Sequence, residues 1–219
     1  MARHLRVLTA VAVLALLVAT QSPSQAIVGG GGTPMGAGDT SAQPGRLRAQ
    51  ITFTKSTAHP WHSTITWDAA RQRADGSWKA LAHDSWRAGS GLPGRSTENA
   101  CVKGHGWLPN GTYSLLQYDD YHGNLIHGRA FRLNDKRCAN GTLREQLFIH
   151  TEAGAGNTQC ADVRGDQLCR WEFPRINDYT SHGCIKMSPS AILALTRAYH
   201  RFFHAGTRYS TSRVRLVVR

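Results

Sequence analysis

The residues with the most chemistry in this 219-residue chain stand together as Ser181-His182-Gly183-Cys184, followed by the apolar Ile185 and the cationic Lys186. A thiol behind a glycine and beside an imidazole has the parts of an acyl-transfer nucleophile. The thiolate attacks a carbonyl, a base removes the thiol proton, and glycine lets the carbonyl approach the backbone amides that hold the oxyanion. A cysteine at its ordinary pKa of roughly 8.5 is only a few per cent thiolate near neutral pH, so a histidine must activate it and then protonate the leaving group. Eleven histidines are available. His150 closes the apolar run Leu147-Phe148-Ile149, and His127 stands in Leu125-Ile126-His127-Gly128; His59, His62, His83, His105 and His122 have no such setting. The bland alternatives are a structural thiol at Cys184, a buried strand-end histidine at His150 and a surface charge at Lys186.

The tetrad resembles the signature of the L,D-transpeptidase family. Its YkuD-type catalytic domain carries a histidine on an upstream strand, a spacer, then Ser/Thr-His-Gly-Cys, an apolar residue and usually Arg or Asn; Lys186 takes that last position here. Leu108-Pro-Asn-Gly-Thr-Tyr113 looks like the family's Pro-x-Gly start of a strand, and Phe148-Ile149-His150 like its Ile-His strand. Gly206-Thr207 before an alternating run also fits, so the resemblance covers roughly Arg48 to the C-terminus. It implies a mainly β domain, an L,D-transpeptidase-like β-sandwich or barrel with one C-terminal helix after the catalytic loop. It further implies Cys184 as nucleophile and His150 as its base. The amides around Gly183 and Cys184 would form the oxyanion hole, with His182 lining the site, Ser181 supporting the loop and Lys186 binding a substrate carboxylate. A backbone carbonyl, rather than an acid, would orient the histidine.

The activity so implied is that of an exported cysteine acyltransferase that forms 3–3 cross-links in peptidoglycan stem peptides, releasing a terminal D-Ala. With water as acceptor, the same site is an L,D-carboxypeptidase. No metal or organic cofactor is implied. His150 leaves 30 residues before Ser181 and His127 leaves 53; the family's spacer is shorter than either, which favours His150. Two rival readings are a cysteine endopeptidase of the NlpC type, disfavoured because its histidine follows the nucleophile, and a non-catalytic wall-binding module, disfavoured by the intact tetrad.

The elements that must position these groups read as short strands followed by one helix. Gln50–Thr54 and Thr64–Asp68 alternate, Asp75-Gly76 is a hairpin signal, and Trp78 to Trp86 continues the pattern. Trp61, Trp67, Trp78 and Trp86 fit strand and core packing better than a carbohydrate-stacking row. Leu125–His127 and Ala130–Leu133 are further strand material, and Asn140-Gly141 turns into an expected strand from Leu143 to His150. After the tetrad, Ser188 is a cap and Pro189 a first helical residue. Ile192, Leu195, Tyr199, Phe202 and Phe203 recur at helical spacing, with Gly206 ending the run. Val214–Val218 is expected to be the last strand.

Five cysteines in an exported chain suggest two pairs and one free thiol. Four cysteines besides Cys184 allow three pairings; the reading taken is Cys160–Cys169, closing a short loop in 151–180, and Cys101–Cys138. Zinc is disfavoured because there is no Cys-x-x-Cys pair and no His-Glu-x-x-His. Residues 1–26 read as a secretory signal with Arg3 and Arg6 before the apolar run Val7–Ala19, a retained signal anchor being the alternative. Residues 27–47 read as a flexible Gly/Pro/Ser-rich linker, and 48–219 as the catalytic domain. The formal charge is +12; without Arg3 and Arg6 it is +10, which suits electrostatic contact with an anionic cell wall. There is no nucleic-acid module and no second apolar run. The expectation is a secreted or wall-associated monomer, acting in cell-wall organisation and free of the membrane after cleavage.

Overall fold

The computed structural model describes residues 45–94 and 97–219. The expected signal, and all of the expected linker before Gly45, lie outside them. Alternation in Leu47–Thr54 (β1) buries Ala49, Ile51 and Phe53 and leaves Arg48 and Thr54 exposed. Ser63–Gln72 (β2) and Trp78–Ala88 (β3) form the hairpin signalled by Asp75-Gly76. There Gly76 takes φ +82°, and Asp75 Oδ1 accepts from the Ser77 amide at 2.8 Å. Gly111–Tyr113 (β4) and Val214–Val218 (β11) complete a five-stranded sheet, ordered β3-β2-β1-β11-β4. β11 runs parallel to β1, with Ile51 opposite Leu216.

A second sheet is built from Leu115–His122 (β5), His127–Leu133 (β6), Phe148–His150 (β9) and Ile185–Lys186 (β10), in the order β10-β9-β6-β5. A two-stranded ribbon, Lys136–Arg137 (β7) with Leu143–Arg144 (β8), turns at Asn140-Gly141. The domain is mainly β, and no sheet closes into a barrel among the described residues. The strand expected over Leu143–His150 is interrupted, because Gln146 takes φ +53° and breaks the extended run between β8 and β9.

Pro189–His200 (α1) is the one α-helix among the described residues. Ser188 Oγ accepts from the Ala191 amide at 3.3 Å, and Pro189 fills the first turn, where no amide is needed. The helix ends at His200, six residues before the expected Gly206. Phe202 and Phe203 follow in a turn whose amides both reach Tyr199 O, so Phe203 stays buried although the helix has stopped. α1 buries Ile192, Leu195 and Tyr199 against both sheets. The Tyr199 ring meets Trp67 of the first at 6.1 Å and Phe131 of the second at 5.5 Å between centroids. Of the four tryptophans expected to pack, only Trp67 is fully buried; Trp78 lies under the Arg48 guanidinium at 3.8 Å. No helix among the described residues is long and apolar enough to cross a membrane.

Trp67 therefore joins the helix to the first sheet. Trp67→Ala is expected to lower unfolding free energy by about 3–5 kcal/mol, whereas Leu125→Ser, at a side chain 70% exposed, should change it by less than about 0.5 kcal/mol. Denaturant unfolding of both variants checks this.

Candidate active site

The site rests on the pairing of two very short strands. β9 and β10 are parallel, with Ile149 opposite Ile185 and His150 opposite Lys186. Both isoleucines enter the core. Side chains alternate along a strand, so His150, Lys186 and the preceding Cys184 share the other face. β10 is held on its far side by Gly89: the Lys186 amide donates to Gly89 O at 2.9 Å, and the Gly89 amide to Lys186 O at 3.0 Å. A Cβ on Gly89 would collide with Tyr179 O, so the contact needs glycine.

Cys184 is the free thiol of the chain and is half-buried. Its S–H donates to Gln146 O at 3.6 Å, where the positive φ of Gln146 brings that carbonyl. Burial pushes the thiol up to about 11, against the Phe148 amide and then the Lys186 and Arg144 charges, which favour the thiolate. His150 is buried, and its Nδ1–H donates to Thr151 O at 2.9 Å, leaving Nε2 unprotonated in the neutral ring. Burial, then the Lys186 ammonium, lower this imidazole to about 3, opposed by the Thr151 bond. Near neutral pH the pair is therefore a thiol and a neutral imidazole, not a thiolate and an imidazolium.

The tetrad turn is shaped by two residues. Ser181 Oγ donates to Cys184 O at 2.6 Å and accepts from the amides of Gly91 at 3.3 Å and Gly183 at 3.2 Å. Gly183 must release that oxygen before its amide can serve an oxyanion. Arg144, a residue without a motif around it, is 2% exposed and donates to Ala100 O, to Gly106 O at 3.0 Å, and to Trp107 O and His182 O at 3.4 Å each. Gly183 sits against this guanidinium at φ +119°, and a Cβ there would collide with Arg144 Nη2. His182 is exposed, its Nδ1–H donating to Gly104 O at 2.6 Å.

Lys186 is buried and ion-paired with Glu152 Oε1. Reaching a substrate carboxylate would require it to leave that partner. Burial lifts the Glu152 carboxyl to about 7 despite the ammonium. His127 stands at the hairpin end of β6, opposite His122, while β9 pairs further along at Phe131 and Arg132. Disulfides join Cys101 to Cys138, fastening the segment that offers Ala100 O to Arg144, and Cys160 to Cys169 within the 151–180 loop. The loop packs back through Tyr179, whose ring meets Trp171 at 4.9 Å and lies under the Arg87 guanidinium at 4.1 Å.

Two surface hollows lie away from the thiol. A cavity of about 500 Å³ is lined by Lys55, Trp107, Lys136 and Arg219, and another of about 340 Å³ by Trp86, Tyr179 and Ser188, and neither touches Cys184.

No protein-family model matches the chain, and no curated protein matches it. Among solved structures, the chain is similar to the helical cell shape determining protein Pgp2 from Campylobacter jejuni, with a TM-score of 0.41 and 16% identity, covering 83% of this chain and 51% of that one. The chain thus spans about half the length of that protein.

Two outcomes follow from the geometry. The ultraviolet thiolate absorbance, taken as the difference between the native protein and Cys184→Ala, should be absent through neutral pH and rise only towards about pH 11; a signal persisting down to about pH 5 would instead mean a preformed ion pair. Gly183→Ala should abolish acylation of Cys184. Gly165→Ala, also at positive φ but facing open space, should leave acylation intact at a stability cost of about 1 kcal/mol. Intact-mass detection of the acylated thiol reads both.

Proposed function

We propose that this chain is an exported cysteine acyltransferase of the L,D-transpeptidase type, acting on peptidoglycan stem peptides. The observation that carries the reading is the β9–β10 register, which sets His150 opposite Lys186, two residues after Cys184, with the histidine oriented by a backbone carbonyl. His127, at the far end of β6, has no such relation to the thiol.

In this reading the thiol attacks the carbonyl before a terminal D-Ala as its proton passes to His150 Nε2. The C–N bond then breaks, His150 returns the proton to the departing amine, and a thioester remains on Cys184. An amine of a second stem attacks the thioester, giving its proton to His150; the C–S bond breaks, and His150 passes that proton to the departing sulfur, regenerating the thiol. The Cys184 amide, with the Gly183 amide once freed from Ser181, holds the oxyanion; one such donor is worth about 3 kcal/mol in the transition state. With the resting imidazole neutral, the thiol proton passes to Nε2 during attack rather than before it. The two disulfides fit an oxidising, extracytoplasmic setting.

The test is incubation of disulfide-intact protein with a disaccharide-tetrapeptide, read by mass spectrometry. The expected product is a cross-linked dimer lacking one D-Ala, absent with Cys184→Ala and slowed by about 10²–10⁴-fold with His150→Gln, but retained with His127→Ala. Released tripeptide alone would make the protein a carboxypeptidase. No product, together with no carbapenem adduct on Cys184, would sink the catalytic reading.

A further inference from the structure

We propose that the loop ahead of the tetrad carries a divalent-cation site, formed by Glu152, Asp166 and Asp178 and suited to calcium. One carboxylate oxygen from each of the three lies within 4.8 Å of the other two. Two oxygens on opposite sides of a calcium ion at about 2.4 Å are about 4.8 Å apart, so the three stand within the outer limit for a common ion and would draw together on binding it.

The cluster also contains two buried oxygens that lack a partner. Glu152 and Asp178 are 3% and 2% exposed. Each commits one oxygen: Glu152 Oε1 to the Lys186 ammonium, Asp178 Oδ2 to the amides of Glu172 and Phe173. Their other oxygens, Glu152 Oε2 and Asp178 Oδ1, are shut from water and accept no hydrogen bond from any N–H or O–H donor of the chain, while the two carboxyls lie within hydrogen-bonding reach of each other. Buried carboxylate oxygens are rarely left so, and only a proton or a cation resolves the arrangement. The cluster is net negative, three acidic groups against the one Lys186 ammonium, which favours a cation. Arg170 and Arg175 do not compete for the cluster, Arg170 being turned to Asp162 and Arg175 to Asp162 and Glu172. An all-oxygen donor set with an exposed Asp166 at its mouth suits a hard cation that retains waters, and disfavours zinc.

The ion would be structural. Asp166 belongs to the loop closed by Cys160–Cys169, Glu152 lies two residues beyond His150, and Asp178 lies three before Ser181. Bound together, they would tie the disulfide loop to both strands of the site.

The experiment uses disulfide-intact protein stripped with a chelator and titrated with calcium chloride, followed by calorimetry and thermal unfolding, with magnesium chloride run alongside. The expected result is saturable binding and an unfolding midpoint that rises with calcium. Asp166→Asn, a change at an exposed side chain, should leave the midpoint of the stripped protein unmoved while weakening calcium binding at least about tenfold. No saturable heat and no shift up to about 10 mM calcium would overturn the site and assign the two oxygens to a shared proton. Equal calcium binding by Asp166→Asn would overturn it as well.

Discussion

Arg144 places a full positive charge in the interior with four backbone carbonyls around it, and it forms no ion pair among the described residues. A buried guanidinium is tolerable only while its hydrogen-bond partners stay in place. The segments that supply them, residues 100–107 and His182, must therefore converge on one point, and the Cys101–Cys138 bridge holds the first of them there. The backbone at 183 passes so close to this guanidinium that no side chain fits. The glycine of the tetrad is thus demanded by the arginine behind it, as well as by any carbonyl that approaches from in front.

The electrostatics of the site follow from the same economy of space. Arg144 and Lys186 both favour the thiolate, yet burial outweighs them. Lys186 also opposes protonation of His150, while its own charge is met by Glu152. Burial keeps the thiol neutral at rest against both cations, and burial together with the Lys186 charge keeps the imidazole neutral. A thiol held in that form is slow to be oxidised, which matters for a free cysteine in a chain whose other four cysteines are paired.

The tetrad, the Ser188-Pro189 start of the helix, the Asp75-Gly76 hairpin and the closing strand were legible because each is a local device: a cap, a turn or an alternation over a few residues. Arg144 was not, because nothing in its neighbours marks it; its role comes from carbonyls 37 positions or more away in the chain. The burial of Lys186 depends on a partner 34 positions away, and a cation after a nucleophile reads from sequence alone as one facing solvent or substrate. The break at Gln146 and the early end of α1 escaped for a related reason. Apolar spacing continues past both points because Phe148 and Phe203 are still buried, but the backbone that buries them is no longer regular.

The position of β11 carries a consequence for how the chain is assembled. It lies between β1 and β4, with Arg215 bonded to Gln50, 165 positions earlier. An interior plank of the five-stranded sheet is thus supplied by a segment far along the chain from its neighbour β1. Until it arrives, β1 and β4 face a gap with their hydrogen-bonding edges bare, and long-range closure of this kind is slow. The five-stranded sheet can therefore close only once residues 214–218 are in place, whereas the β10-β9-β6-β5 sheet does not include them.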